Sequence, residues 1–141
     1  MISSFFISQM QYKHYESELD IFKLRPTYDS QRFTDLITFM SHVGPCYKEE
    51  SAHLPIQMME LMETNASSLH PDVRFKLFQC LIQLHNKNMI DPVRILQLSF
   101  KLFSVQDKNL RIAVGDFIIN DIQGLNKNRT NEKINQWIVE N

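Results

Sequence analysis

The sequence predicts an all-α chain, a HEAT/armadillo-like α-solenoid of antiparallel helix pairs with about six or seven helices. Three observations predict it. Apolar residues recur three and four apart along most of the chain, the period of one helix face. Only three Gly and five Pro occur in 141 residues, too few for the tight turns of a β-sandwich. Finally, Asp72-Val73-Arg74 returns as Asn109-Leu110-Arg111, about thirty-seven positions on and slightly short of the HEAT/armadillo period of roughly 40–47 residues.

The first helix is predicted over Ser4 to Phe22, with Phe5, Ile7, Tyr12, Tyr15, Leu19 and Phe22 as its apolar positions and Pro26 as its stop. The second runs from Ser30 to His42, capped by Asp29 or Ser30, with Phe33, Leu36, Ile37 and Met40 as its stripe. Gly44-Pro45 breaks it. The third covers Pro55 to Thr64. Its Met58, Met59 and Met62 are read as core rather than as an adaptable groove.

The fourth helix opens with Pro71 in its first turn and Asp72 against the positive end of the macrodipole. Val73, Leu77, Cys80, Leu81 and Leu84 carry its apolar face to about His85. The fifth repeats this opening with Asp91 as cap and Pro92 in the first turn, and Ile95, Leu98, Leu102 and Phe103 follow. A sixth is expected over Asp107 to Ile122 and a seventh over Asn131 to Val139. In the repeat, Leu77, Cys80, Leu81 and Ile82 align with Val114, Phe117, Ile118 and Ile119. Arg74 and Arg111 then hold equivalent positions and are expected to pair structurally between adjacent helices. The inner faces are expected to include Leu36, Phe39, Leu77, Leu81, Leu98, Leu102, Ile118 and Ile119. Gly115, inside an apolar helix, would be explained by close approach of a neighbouring helix.

The length suits a single helical domain over residues 1–141. The apolar run at Phe5-Phe6-Ile7 is too short for a signal sequence or a membrane span. Cys46 and Cys80 form no CxxC pair, so they are read as buried thiols rather than as metal ligands. The charge is split: residues 1–70 hold five Lys/Arg and nine Asp/Glu, and residues 71–141 ten and seven. The balances are −4 and +3. The second half carries the candidate contacts to an acidic partner, Lys87, Lys101, Lys108, Lys127, Arg129 and Lys133. An ordinary solvated surface is the competing explanation. Aromatic stacking on bases is disfavoured, because the aromatics fall mostly on apolar faces. No phosphate loop, HExxH or GxSxG is present, and His42 and Cys46 are separated by the Gly44-Pro45 break, so neither an enzyme, a cofactor nor a metal site is expected.

An ordered series of segments then becomes informative: Tyr12-Lys13-His14-Tyr15-Glu16-Ser17, Ile21-Phe22-Lys23-Leu24-Arg25-Pro26, Phe39-Met40 with Cys46-Tyr47, Leu69-His70-Pro71-Asp72-Val73-Arg74, Leu84-His85-Asn86-Lys87-Asn88-Met89-Ile90, Asp107-Lys108-Asn109-Leu110-Arg111 and Ile119-Asn120-Asp121-Ile122. Together they resemble the N-terminal helical region of the severe-depolymerization-of-actin (SDA) family. The resemblance implies an α-solenoid without enzymatic chemistry. It implies a nucleolar factor needed for maturation and nuclear export of the large ribosomal subunit, with an indirect link to actin organisation. It implies partners among pre-ribosomal particle proteins and ribosomal RNA, and neither a membrane nor a small-molecule substrate. Family members are several times longer, so the chain is expected to be a fragment or truncated copy. Its last helix, with Ile134, Trp137, Ile138 and Val139, would then expose an apolar face. The alternative function is a helical adaptor in protein transport outside the nucleolus.

Overall fold

The computed structural model describes the backbone of residues 2–25 and 31–128, and the side chains of residues 9–25 and 31–124. Six α-helices occur among them: α1 (Ile2–Leu24), α2 (Gln31–Val43), α3 (His53–Asn65), α4 (Pro71–Asn86), α5 (Pro92–Leu102) and α6 (Lys108–Asn128). No strand is present among the described residues. The class expected from periodicity is therefore the class observed. The expected seventh helix, the Asp29/Ser30 cap and the Ile134–Val139 face lie outside the described residues, as do the side chains of Phe5 and Ile7. The helices form two compact units, Met1–Ile90 and Asp91–Asn141.

In the first unit, α1 lies on α2, and α4 packs on α2 and α3. The α1–α2 contact is an aromatic stack. Phe33 lies nearly parallel to Phe22, centroids 4.5 Å apart, and faces Tyr15 at 6.3 Å on its other side. All three rings are buried, as are Ile37 and Met40 beside them. On the rim, Arg32 Nε lies 3.1 Å from Glu18 Oε1. Leu54, Met58, Met59, Leu61 and Met62 line the inner side of α3, so the methionine cluster is core. Val73, Leu77, Phe78, Leu81 and Leu84 do the same for α4. Buried Ser41 donates its hydroxyl to the Ile37 carbonyl one turn back, at 2.7 Å, which satisfies that hydroxyl.

The connections follow from backbone accounting. After Val43 the chain tightens into a 3-10 turn, Gly44–Tyr47, because Pro45 brings no N–H to continue the α ladder. Helix α4 ends in a Schellman motif: the N–H of Met89 reaches the Leu84 carbonyl at 3.0 Å and that of Asn88 reaches His85 at 2.9 Å, with Asn88 at φ 63°. The α4 N-terminus is capped by His70, whose Nδ1 accepts from the Asp72 N–H at 3.2 Å. Asp91 caps α5 as expected, accepting from Val93 N–H at 3.1 Å. Asp107 caps α6, accepting from Leu110 N–H at 3.1 Å.

In the second unit α5 packs on α6. The buried stripe of α5 is Ile95, Leu96, Leu98, Ser99 and Leu102, and that of α6 includes Leu110, Val114, Phe117 and Ile118. The repeat holds in its core, since Val73 and Leu110, Leu77 and Val114, Cys80 and Phe117, and Leu81 and Ile118 are all buried. It fails at both edges. Ile119 is 56% exposed, because nine residues beyond Leu110 a helix has turned to its opposite side. At the other edge Arg111 is exposed, whereas Arg74 is buried. The Arg74 Nη1 donates to the carbonyls of Ala66 at 2.9 Å and Leu69 at 3.2 Å, satisfying oxygens left over where α3 ends. The expected equivalence of the two arginines is thus corrected. Phe39 and Phe103 also lie outside the core, 37% and 39% exposed, at the edge of the α2 stripe and just past the last turn of α5. Gly115 has no side chain or neighbouring backbone within 4 Å of where a Cβ would stand, so close helix approach does not account for it.

Candidate functional site

Three surface features among the described residues present chemistry to solvent. The first is a groove of about 390 Å³ between α1, the 3-10 turn and the start of α3. Tyr12, Lys13 and Glu16 form one wall, and Tyr47, Glu50 and His53 contribute to the other. Tyr12 is held in place: its ring meets His53 edge-on at 5.0 Å, and its hydroxyl donates to Gln57 Oε1 at 3.4 Å. Burial, reinforced by the Glu16 carboxylate, pushes the Tyr12 phenol well above its ordinary range, so it remains a neutral hydrogen-bonding group. The lining mixes aromatic rings with both signs of charge. Such a wall suits hydrogen bonding and ring contact with an extended segment. The second groove, of similar size, lies between α1 and α2 and is lined by His14, Arg32, Asp35, Leu36 and Phe39.

The third feature is the turn joining α5 to α6. Phe100 and Phe103 are 43% and 39% exposed, with ring centroids 6.3 Å apart and planes tilted by 57°. Exposed Lys101 stands in the last turn of α5 and exposed Lys108 in the first turn of α6.

The candidate contact residues are thereby sorted. Lys101 and Lys108 share one end of the α5–α6 hairpin. Lys87 is exposed at the end of α4, in the other unit, where it serves as the helix C-cap. The side chain of Lys127, and all of Arg129 and Lys133, lie outside the described residues. The sequence reading missed the exposed pair Phe100 and Phe103, because Phe103 continues the apolar period of α5 although the helix ends at Leu102. It also missed the Tyr12–His53 groove, whose residues come from separate elements and share no spacing.

Neither cysteine joins a metal-binding cluster, and no group of three or more His, Cys, Asp or Glu among the described residues could hold a metal ion. Cys80 is buried, as expected, but Cys46 is exposed. Cys46 stands nine residues beyond buried Ile37, so even an uninterrupted α2 would turn it to the side opposite the core. His42 Nδ1 lies 2.8 Å from Gln83 Nε2. No described helix is long and apolar enough to cross a membrane.

Comparison with known proteins matches residues 39–140 to a family described as SDA1, HEAT repeat. The chain is 39% identical over 129 residues to a protein SDA1 homolog of Dictyostelium discoideum, covering 92% of this chain and 17% of the relative. It is 38% identical over 128 residues to the homolog of Nematostella vectensis, covering 91% and 19%. Against protein sda1 of Schizosaccharomyces pombe it is 31% identical over 129 residues, covering 91% and 18%. The chain therefore spans less than a fifth of the length of these curated relatives.

Proposed function

Because the chain belongs to the SDA1 HEAT-repeat family, we propose that it is a stretch of non-enzymatic scaffold in the assembly of the large ribosomal subunit and the nuclear export of its precursors. The observation that carries this reading is the likeness to SDA1 homologs along more than nine-tenths of the chain, from organisms as distant as Dictyostelium and fission yeast. The function itself is what the family resemblance implies. Its proposed setting is the nucleus and nucleolus, its proposed partners are pre-ribosomal particle proteins and ribosomal RNA, and any effect on actin organisation is indirect. The surface fits a binding role. Its distinctive features are two open grooves and an exposed aromatic–lysine turn, and the perturbed phenol of Tyr12 is held neutral rather than activated.

A helical adaptor in protein transport is the competing reading, and the aromatic groove at Tyr12 and His53 is the feature that favours it. Tagged full-length parent and tagged chain, sedimented through a gradient, separate the two. Cosedimentation of the parent with large-subunit precursors, together with their RNA, is the expected result. Recovery of peptide or vesicle-coat partners without ribosomal RNA would overturn it.

A further inference from the structure

We infer that the groove between α1, the 3-10 turn and the start of α3 is a docking site for an arginine side chain carried on an extended segment of a partner protein. The inference rests on the reading of this chain as a binding scaffold and names the chemistry of one partner.

Three serines are buried among the described residues: Ser41, Ser51 and Ser99. Ser41 and Ser99 each donate to the carbonyl one turn back, at 2.7 Å. Ser51 does not. It is 6% exposed and lines the groove. Its N–H donates to the Tyr47 carbonyl at 2.9 Å, and its carbonyl accepts from the Leu54 N–H at 3.1 Å, so its backbone is satisfied. Its hydroxyl makes no hydrogen bond to a described residue. Buried polar groups normally have a partner, and the groove is the space from which one can reach Ser51.

Charge and donor count select the occupant. Glu16 stands on one wall and Glu50 on the other, both exposed. Neither carboxylate is in an ion pair or hydrogen bond with a described residue. Against these two the lining carries Lys13, an exposed cation on a flexible stem that can turn outward. Tyr12 gives its proton to Gln57, so its oxygen is left as an acceptor. The groove thus offers two carboxylates, a phenol oxygen and a serine hydroxyl, drawn from both walls. A phosphate would meet two unpaired carboxylates. A guanidinium presents five N–H groups in one rigid plane and can bond to both walls together, whereas an ammonium is a compact point charge. Buried Met40 adds an apolar surface for the arginine stem. At about 390 Å³ the groove is near the small end of ligand pockets, roughly 300–1,000 Å³. It has room for one long side chain and not for a folded element, so the rest of the partner lies along the surface as extended chain.

The test uses the whole 141-residue chain and fluorescence anisotropy with a labelled flexible Gly/Ser peptide that carries spaced arginines. Counterparts with lysine or glutamate at the same positions, and unlabelled N-acetylarginine amide as competitor, are the controls. The arginine peptide should bind more tightly than the lysine peptide, and the glutamate peptide should not bind. E16Q/E50Q, which keeps the shape of both walls, should weaken binding by about tenfold or more, as expected for lost charged hydrogen bonds. S51A should weaken it by about threefold and leave the melting temperature unchanged, because that hydroxyl makes no internal bond. E60Q/D116N removes the same charge away from the groove and should leave binding intact. Thermal melting of each variant checks that it is folded. Overturning results are equal binding of the lysine peptide, equal loss in E60Q/D116N, unchanged binding by folded E16Q/E50Q, or no binding by the chain. N-acetylarginine amide binding as tightly as the peptide would make the site one for a small molecule and also overturns the proposal. If the groove fails while the full-length parent still sediments with precursor particles, this site is wrong and the scaffold reading stands.

Discussion

Arg74 reaches back across a link between helices to place its Nη1 2.9 Å from the carbonyl oxygen of Ala66, the C-cap residue of α3. The same nitrogen serves the Leu69 carbonyl. One buried cation thus neutralises the negative end of one helix and fixes the start of the next. It explains the run Leu69-His70-Pro71-Asp72-Val73-Arg74 as a structural unit: an inserted apolar residue, a cap, a helix-opening proline and a clamp.

The clamp has a measurable worth. Arg74→Ala leaves two carbonyls without their charged donor and should lower unfolding free energy by about 1.5–3 kcal/mol. Arg111→Ala, at an exposed position, should stay within about 0.5 kcal/mol of the parent. Denaturant titration of both variants checks the contrast. Equal losses would restore the equivalence that the repeat suggested.

What the sequence disclosed and what it concealed divide along one physical line. Leu77, Leu81, Leu98 and Leu102 sit mid-stripe, where any small error in helix phase still leaves them buried. Phe39 and Phe103 sit at a stripe edge and past a helix end, where phase error and termination decide exposure, and Ile119 lies half a turn from Leu110 on the far side of α6. Proline openings at Pro71 and Pro92 were legible because proline acts on its own backbone. The His70 cap was not, because histidine is not among the usual capping residues. The lysines at 101 and 108 were visible as charges, but their shared end of the α5–α6 hairpin depends on where α5 stops.

Asn88 occupies the left-handed region, φ 63°, in the Schellman turn that ends α4. Glycine adopts that conformation without the Cβ penalty of roughly 1–2 kcal/mol. Asn88→Gly should therefore leave stability unchanged or raise it, and Asn88→Val should lower it by about that penalty or more. Thermal melts of the pair give the answer. A valine variant as stable as the parent would mean that the turn is not closed in this way in solution.

Gly115 lies within α6 with open space where a Cβ would project. Alanine there should stabilise the chain by about 0.5–1 kcal/mol, through helix propensity and reduced freedom of the unfolded state. A rise in denaturant midpoint is the expected reading. A fall would show that another surface approaches Gly115 in solution.

The two thiols should separate cleanly. Cys46 is exposed and should react with an alkylating reagent in the native chain, while Cys80 reacts only on unfolding. Burial pushes the Cys80 thiol above its ordinary value of 9.0, against weaker opposing hydrogen bonds from Ser41 and Thr38 and the charge of Lys76. Burial also raises Tyr15 above 10.0, aided by Tyr12 and then Glu16, and raises Tyr12, aided by Glu16. In each case the acid is held protonated in the folded state and ionises earlier in the unfolded chain. Above the unfolded value the unfolded state therefore binds fewer protons, and stability falls as pH rises. The stabilisation is intact at neutral pH, begins to be lost as an unfolded thiol ionises on the approach to its ordinary value of 9.0, and is lost more steeply from about 10 as the tyrosines follow. Unfolding free energies measured between pH 7 and 11 should decline along that course. Cys80→Ser keeps the size but removes the thiol, so it should abolish the first part of the decline and leave the tyrosine part in place; an unaltered profile would show that Cys80 is not the group that titrates.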